Sequence, residues 1–476
     1  MKHISADIHC HPTLKPYGKS FPQQVQNNSI QENTNLYYYD PQTFWDKVIN
    51  RLTGLTEFRQ SDFTALKYGG VNIVICSLYP MEKGFCRTEF GTGDLIDDGL
   101  NLVTGVGENR INFIQDVSNG YFDDLQKEHA FLQALDGVIV EIDGNKTVYK
   151  IIDKFSDIQD NETFYGDDVY VINVIVSFEG THSLYTNFLD IGKQDDATKA
   201  AIFGNLTIVK NWKSRPLFVT LAHHFYNGFC GQAASLTEGV VKIFANQKAH
   251  LYEPMNDFGR EVVRHLLDNT NNKRILIDIK HMSEASRKDY FDMLDTEFKD
   301  QDIPVIVSHG AVIGNATDSD LFFNADINFT DTEILKIGVT KGLFGIQLDK
   351  RRIGSAADIK NFETYITRRK VLFHATELIW RQIQHIAELL DANNLFAWGI
   401  QCLGSDNDGI VNPVDGIWTS EDFKTMEDYL LMQAHTYTES DDFNNLNNDY
   451  NKIDAEVIVD RVIGNNVYDF LSRNLI

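Results

Sequence analysis

Short apolar runs rich in Val and Ile recur along this 476-residue chain, and each ends in a polar or small-residue turn. The apolar positions are continuous and do not alternate with polar ones, which is typical of strands buried on both faces of a parallel sheet. Eight runs have the length and composition of such strands. In chain order they are ISADIHCHP (4–12), VNIVICSLYP (71–80), YVINVIVSFEG (170–180), PLFVTLAHH (216–224), ILIDIKHMS (275–283), PVIVSHGAV (304–312), GLFGIQLDK (342–350) and LFAWGIQCLGSDNDG (395–409).

Helical periodicity appears between several of these strands. In residues 256–269, Asp257 is predicted to be the N-cap of a helix. The apolar face of this helix carries Phe258, Val262, Val263, Leu266 and Leu267. In residues 376–391 the corresponding face carries Ile379, Ile383, Ile386 and Leu390. Eight strands joined by helical crossovers predict an α/β fold, namely a (β/α)8 TIM barrel.

Two segments interrupt the alternation of strand and helix. Within residues 81–168, the stretch DGVIVEIDGNKTVYKIID is predicted to form a β-hairpin that turns at Asp143 and Gly144. This insertion lies between the second and third barrel strands. Residues 411–456 are polar and rich in Asn and Asp, and we expect a long loop or a helical lid there. Neither segment has the composition of a linker, so residues 1–476 are predicted to form a single barrel domain.

The composition narrows the choice of partners and location. Acidic residues (68) outnumber basic ones (43), and the formal net charge of -25 argues against nucleic acid and anionic membranes as partners. No apolar run approaches the roughly 20 residues that a membrane-spanning helix needs. No secretory signal is visible before the first strand, so we expect a cytoplasmic protein. The five cysteines lack the spacing of a disulfide framework or a CxxC metal site.

Histidine and carboxylate side chains stand at the ends of six of the eight predicted strands. In a barrel of this type the active site lies at the C-terminal ends of the strands. His9 and His11 are two apart on the first strand, so both imidazoles point to the same side and can face one metal. The other strand ends carry Glu179, His223, His281, His309 and Asp406.

Each of these residues alone has a more ordinary interpretation. A single strand-end histidine is usually a hydrogen-bonded structural residue, Glu179 could cap a helix, and Asp406 could belong to a turn. The strands are otherwise apolar, however, and imidazole and carboxylate groups that converge on one dry pocket are ligands for zinc or a similar divalent metal. The sequence therefore predicts a metal site at this end of the barrel.

The same motifs resemble the membrane (renal) dipeptidase family, a zinc-dependent branch of the amidohydrolase superfamily. SFEGTHSL is similar to the family's E-G-x-x-S segment, LAHH stands where the family has L-T-H, and ILIDIKHMS resembles its D-L-S-H-x-S strand. PVIVSHGA matches P-V-x-x-S-H, GSDNDG matches G-S-D-F-D-G, and VIGNNVYDFL resembles the closing G-G-N helix. The motifs follow the family's order along most of the chain, while residues 81–168 and 411–456 match poorly.

The resemblance implies a binuclear metal-dependent hydrolase that holds two divalent metal ions, with zinc as the first expectation. One metal would take His9 and His11, and the second would take His281 and His309. Glu179 would bridge both. The enzyme implied is a metallopeptidase of the amidohydrolase type.

The resemblance also implies how the reaction proceeds. A hydroxide that bridges the two metals would attack a small peptide or amide substrate, so the expected process is proteolysis of dipeptide-like molecules. His223 would contact the substrate and stabilise the oxyanion, and Asp406 would accept the water proton and pass it to the leaving amine.

Two departures from the family pattern bear on metal and substrate. The first strand carries His9-Cys10-His11 where the family has His-x-Asp, so the site has one negative charge fewer and the choice between zinc, manganese and iron stays open. Family dipeptidases bind the substrate carboxylate with an Arg soon after the sixth-strand His, but residues 310–331 contain no Arg or Lys. Arg351 and Arg352, after the seventh strand, are candidate substrate-binding residues in its place. The alternative is that they form an exposed basic patch.

Other functions stay open from the sequence alone. A lactonase or deaminase of the same superfamily would use similar residues, and a metal-stabilised protein that has lost catalysis is a third possibility. The reaction product would distinguish them: an amine and a carboxylate, a hydroxy acid, or ammonia. We expect a small peptide or amide as the partner, with no nucleic acid and no membrane, and a homodimer is left open.

Overall fold

The structure is a computed structural model that describes residues 3–87, 99–101, 104–236, 245–314, 321–362 and 367–476. Parallel strands with helices between them form its centre. The strands are β1 (Ala6–Cys10), β2 (Ile73–Leu78), β3 (Val140–Ile142), β4 (Asn145–Ile151), β5 (Val169–Glu179), β6 (Phe218–Thr220), β7 (Leu276–Asp278), β8 (Ile306–Gly310), β9 (Leu343–Ile346) and β10 (Gln401–Leu403).

Eight of these strands form a barrel in the order β1-β2-β5-β6-β7-β8-β9-β10, and every neighbouring pair is parallel. The ring is closed by a parallel bridge between Cys10 and Asn407, where the Asp406 amide donates to the His9 carbonyl at 2.9 Å. The predicted (β/α)8 TIM barrel and all eight predicted strands are confirmed.

The predicted hairpin is also present, and it extends the sheet. β3 and β4 pair antiparallel, with Asp143 and Gly144 at positive φ in the turn between them. β4 then runs parallel to the first half of β5, so the hairpin is attached to the barrel through the third barrel strand. Part of the surrounding insertion, residues 88–98 and 102–103, lies outside the described residues.

Helices surround the strands and connect them. The α-helices are α1 (Leu14–Lys19), α2 (Phe44–Thr53), α3 (Phe63–Tyr68), α4 (Lys83–Cys86), α5 (Glu108–Gln115), α6 (Tyr121–Gln133), α7 (Ser156–Tyr165), α8 (Asp196–Lys210), α9 (Asp257–Leu267), α10 (Glu284–Thr296), α11 (Asp331–Val339), α12 (Lys350–Ile353), α13 (Ala356–Phe362), α14 (Arg368–Ala392), α15 (Phe423–Thr438), α16 (Asp441–Asn444), α17 (Ala455–Asp460) and α18 (Asn466–Asn474). A π-helical turn, Arg461–Asn465, joins the last two. Short 3-10 turns lie at Thr181–Leu184, Phe188–Asp190, Thr270–Asn272, Ser420–Asp422 and Asp449–Asn451.

The two helical faces predicted from the sequence are buried against the barrel, because every apolar residue named for them is less than 5% exposed. The predicted cap of α9 was wrong by one position. Asn256 is the N-cap residue and accepts a hydrogen bond from the Gly259 amide, while Asp257 begins the helix. Either side chain has the chemistry of an N-cap, so spacing alone did not separate them.

In the polar segment 411–456, the helix α15 packs along the long helix α14 and against α17. Its apolar side chains Phe423, Met426 and Leu430 are buried in the hydrophobic core. The segment is therefore part of the outer helical layer over most of its length. None of the described helices is long and apolar enough to cross a membrane.

Two buried aspartates connect the strands just below the site. Asp7 of β1 accepts hydrogen bonds from the Ser405 amide and hydroxyl at 3.0 and 2.5 Å, and so joins β1 to the end of β10. Asp278 of β7 accepts from the hydroxyls of Thr220 and Ser308, both at 2.6 Å, and so joins β6, β7 and β8. These bonds fix the strand ends on which the functional side chains stand.

Glycine permits close packing around the sixth barrel strand. A Cβ on Gly345 of β9 would lie 2.0 Å from the Ser308 carbonyl oxygen, and one on Gly404 would lie 1.9 Å from the same oxygen. Any side chain at either position would push the last strands away from β8. The two glycines therefore help to set the position of His309, the residue after Ser308.

Candidate metal centre

Glu179, the last residue of β5, lies at the centre of a buried group of histidines. The Glu179 side chain is only 3% exposed. Five imidazole Nε2 atoms surround this carboxylate: His11 at 3.2 Å, His9 at 3.4 Å, His223 at 3.4 Å, His281 at 3.5 Å and His309 at 3.7 Å.

The histidines form two close pairs. The Nε2 atoms of His9 and His11 lie 3.2 Å apart, and those of His281 and His309 also lie 3.2 Å apart. Two nitrogens bound to one tetrahedral metal at about 2.0–2.1 Å would be separated by about 3.4 Å. Each pair therefore has the separation of two ligands on a single ion.

The Glu179 carboxylate has an unused oxygen that also fits a metal. Oε1 of Glu179 is buried and has no hydrogen-bond partner among the described residues. Buried carboxylate oxygens are normally paired, so an unpaired one facing the imidazole nitrogens of His9, His281 and His309 is best explained by a cation. The ligand atoms of His9, His11 and Glu179 lie within 4.8 Å of one another, as do those of Glu179, His281 and His309.

Asp406 follows β10 and completes the cluster. Its Oδ1 lies 3.5 Å from His11 Nε2 and 3.8 Å from His9 Nε2, and its Oδ2 lies 3.8 Å from His309 Nε2. The side-chain amide of Gln347 donates to Oδ2 at 3.0 Å. Oδ2 is thus held by Gln347 beside His309, and Oδ1 faces His9 and His11.

Two site residues have strained backbones. The φ angle is 65° at His281 and 60° at Asp406, in the left-handed region that most non-glycine residues avoid. Such conformations cost of order 1–3 kcal/mol and occur frequently at functional sites. At both positions the turn follows the end of a strand and directs the side chain to the central group.

Burial and charge determine the protonation of the candidate ligands. Burial lowers the pKa of His281 and of His309 well below the usual value, so both rings are neutral and can bind a metal. Burial alone would raise the pKa of Glu179, but His223, His9 and the other imidazoles hold it well below the usual value. For His11, burial is outweighed by the hydrogen bonds that its ring donates to Asp406 and Glu179, which raise its pKa to about 10. A metal at His11 would therefore displace a proton.

His223 is positioned by a carboxylate that the sequence analysis missed. Its Nδ1 lies 2.7 Å from Oε2 of Glu82, and its Nε2 points to Glu179. Glu82 is buried and also accepts a hydrogen bond from the Phe225 amide at 3.0 Å. Burial would lower the pKa of His223, but Glu179 and Glu82 raise it above its usual value. His223 therefore has the environment of a positively charged hydrogen-bond donor.

Two further polar residues of the site were also missed. Lys280 directly precedes His281, is 1% exposed, and lines the cavity above the cluster. Burial, together with the nearby Arg352 guanidinium, lowers the pKa of Lys280 to about 7. Gln347, which follows β9, contacts both Asp406 and Lys280. A lysine inside an otherwise apolar strand segment was a visible signal, and so was a glutamate soon after the second strand.

The cluster opens into a cavity of about 410 Å³. Its polar wall contains the metal-site residues and the cations near β7 and β9. Its opposite wall is apolar and is formed mainly by the poorly matching insertion after β2, through Met81, Phe85, Leu100, Val106 and Ile111. Leu55, Ile410 and Val411 extend this wall.

Arg351 and Arg352 both line this cavity. The guanidinium of Arg351 is paired with Asp349, whose carboxylate accepts from Nε at 2.9 Å and from Nη2 at 2.5 Å. Arg352 is 7% exposed and donates to the Ser235 carbonyl oxygen. The two arginines are thus part of the cavity wall and do not form an exposed patch.

Several neighbouring side chains have structural partners. Asp408 lies apart from the cluster, held by Lys15 Nζ at 3.1 Å and by the Ser61 amide and hydroxyl, both at 2.7 Å. His182 Nε2 contacts the Pro80 carbonyl oxygen at 2.8 Å. His224 is nearer to the centre, because its ring lies 4.8 Å from that of His281, and its Nδ1 contacts the Ser235 hydroxyl.

The structure therefore brings together all seven residues expected at the metal site and places both arginines on the same cavity. The fold and this cluster define a class of protein, namely a (β/α)8 barrel with a buried histidine–carboxylate site at the C-terminal ends of its strands. Part of the loop after β8, residues 315–320, lies outside the described residues, including positions where the family arginine was sought.

Comparison with known proteins agrees with this class. No family model and no curated protein matches the chain. Among solved structures, a dipeptidase described as a metallopeptidase of family M19 has a TM-score of 0.50 at 14% identity, covering 100% of this chain and 99% of that one. A metallopeptidase from Rhodobacter sphaeroides, solved with a phosphinate mimic of the dipeptide L-Ala-D-Ala, has a TM-score of 0.51 at 13% identity, covering 99% of both chains. The predicted resemblance to dipeptidases is confirmed at the level of the fold.

Proposed function

We propose that this chain is a metal-dependent hydrolase that cleaves dipeptides or closely related small amides. The proposal rests on two histidine pairs, His9–His11 and His281–His309, that lie on either side of Glu179. An unpaired oxygen of Glu179 lies between them. Structural likeness to metallopeptidases, one of them solved with a dipeptide mimic, supports the substrate class.

We propose two divalent metal ions, with zinc as the first candidate. His9 and His11 would hold one ion, His281 and His309 the other, and Glu179 both. Imidazole and carboxylate ligands suit zinc, and five protein ligands are more than one tetrahedral zinc requires. Bound there, the ions would polarise the scissile carbonyl and lower the pKa of a water molecule.

The protein's own groups would perform the remaining steps. Asp406 has one oxygen fixed by Gln347 and the other directed into the cluster, which suits a group that accepts a proton from water and delivers it to the leaving amine. His223, oriented by Glu82, is proposed to donate a hydrogen bond to the carbonyl oxygen as negative charge develops on it. Both are proposed catalytic residues.

Arg351 and Arg352 are proposed to contribute to substrate binding from the β9 side of the cavity. Arg352 is the stronger candidate for direct contact, because the Arg351 guanidinium is already occupied by Asp349. Arg351 would then act by keeping Asp349 and the neighbouring wall in place.

The proposal is tested by assaying the metal-replete protein against a dipeptide library with L- and D-residues at the second position. The expected result is release of free amino acids together with close to two divalent metals per chain by elemental analysis. Chelation should remove the activity, and metal addition should restore it. Release of ammonia or of a hydroxy acid from control substrates, with no dipeptide cleaved, would replace the peptidase assignment by a deaminase or a lactonase. A stoichiometry of one metal that added metal cannot raise would remove the binuclear model.

A further inference from the structure

Lys280 is a buried lysine whose hydrogen-bonding capacity is largely unused. Its side chain lines the cavity, and its Nζ has one hydrogen-bond acceptor among the described residues, Gln347 Oε1 at a long 3.4 Å. A lysine ammonium has three donors, and buried polar groups are normally satisfied. The free donors of Lys280 therefore point to a ligand that is absent from the protein itself.

The surroundings of Lys280 favour an anionic ligand. Asp406, Asp278 and Glu179 attract it only through space, since none of the three forms an ion pair with it among the described contacts. The guanidinium of Arg352 lies on the same wall and repels it. Burying Lys280 beside Arg352 costs free energy because Lys280 has no ion-pair partner among the described contacts. An anion bound next to the two cations would offset this cost.

A purely structural role does not account for this side chain. The backbone of Lys280 is fixed independently, because its amide donates to Asp278 at 3.0 Å. A methionine would fill the same volume without the cost of burying an amine. Two other buried lysines, Lys15 and Lys83, have closer acceptors. Lys83 Nζ, for example, donates to the Ile114 and Asp116 carbonyl oxygens at 3.0 and 2.9 Å.

We propose that Lys280 binds the terminal carboxylate of the substrate, with Arg352 as the second cation of the subsite. The proposal rests on the proposed hydrolysis of dipeptides and makes it more specific, because it requires a substrate with a free C-terminus. Gln347 contacts both Lys280 and Asp406, so the carboxylate anchor and the proposed proton carrier are held by one side chain. A substrate bound at Lys280 is thereby placed at a fixed distance from Asp406.

The test compares one dipeptide from the library with its C-terminal amide. Both are assayed on metal-replete full-length protein as wild type, Lys280→Met and Lys280→Arg, with metal content and melting temperature measured for each. Lys288→Met is the control, since it removes the same charge from an exposed position on α10. Loss of one charged hydrogen bond should raise KM for the free dipeptide by about tenfold or more in Lys280→Met. The amide should change less than about twofold, and Lys280→Arg should recover part of the discrimination.

Each other outcome has a definite meaning. An equal effect of Lys280→Met on both substrates, or a fall in kcat alone, would overturn the proposal and assign Lys280 to positioning Asp406 through Gln347, while dipeptide hydrolysis would stand. If the wild type cleaves neither substrate, the proposed function fails. In that case calorimetric titration with the same dipeptide and amide decides the binding proposal: weaker binding of only the free acid to Lys280→Met supports it, and unchanged binding overturns it.

Discussion

Substitution of Glu82 by Gln isolates the contribution of a carboxylate that touches neither the proposed metals nor the substrate. Gln has nearly the same shape, so the change removes the charge and leaves the packing around His223 intact. The affected bond is short, 2.7 Å from Oε2 to His223 Nδ1, and both side chains are 4% exposed. A hydrogen bond to a charged group contributes about 1.5–3 kcal/mol.

This energy sets the expected kinetic effect. If His223 must be oriented and positively charged to stabilise the developing oxyanion, the loss appears in the transition state, and kcat/KM should fall by about 10- to 150-fold. Most of the fall should be in kcat. Metal content should not change, because Glu82 is not among the proposed ligands.

The assay is steady-state hydrolysis of the best dipeptide by metal-replete protein, with elemental analysis of each sample. Glu333→Gln is a matched control, since Glu333 is also buried and paired, through Arg287, but lies outside the cavity. That variant should lose stability and keep its turnover number. A Glu82→Gln enzyme with kcat/KM within about twofold of wild type, at full metal content, would refute the role assigned to the Glu82–His223 pair.

Two other predictions concern proton transfer and stability. Asp406→Asn should keep its metal and its fold and lose about 10²–10⁴-fold in turnover, because the amide cannot accept the water proton; near-normal turnover in steady-state assays would transfer the role to another group. His129, stacked on Trp212 with ring centroids 4.0 Å apart, has its pKa lowered by burial from 6.5 to about 4. Its contribution to stability is therefore present above pH 6.5 and lost as the pH falls towards 4, by about 3 kcal/mol in total. Denaturant titrations at pH 7 and pH 5 should show a smaller pH dependence for His129→Gln, and an unchanged dependence would contradict this explanation.

The barrel and the convergence of the candidate metal ligands could be predicted from sequence because both are local properties of the strands. Continuous Val- and Ile-rich runs indicate parallel strands buried on two faces, and a polar residue just past such a run must lie at the C-terminal rim. His9, Glu179, His281 and Asp406 each follow this rule independently. Their convergence is a consequence of the fold and requires no knowledge of long-range contacts.

The residues that support the site could not be predicted in the same way. Glu82 contacts His223 across 141 positions, and its assignment to the start of an insertion hid the fact that it follows a strand end. Gln347 belongs to the site only because Asp406 and Lys280, which follow other strands, contact its side chain. The apolar wall arises from the packing of the insertion on itself and on the barrel, which depends on tertiary contacts between segments of no recognisable pattern.

The contact between β1 and the end of β10, which closes the barrel, has a consequence for how the protein matures. Asp7 and Ser405 are 398 positions apart, yet their hydrogen bonds hold the first strand to the last. During synthesis His9 and His11 emerge long before Asp406, whose contact with β1 closes a very long loop. The proposed proton carrier therefore joins the proposed metal ligands only when the final strand docks. Activity should therefore appear only after β10 has docked, whereas all the residues proposed to bind metal precede that strand in the chain.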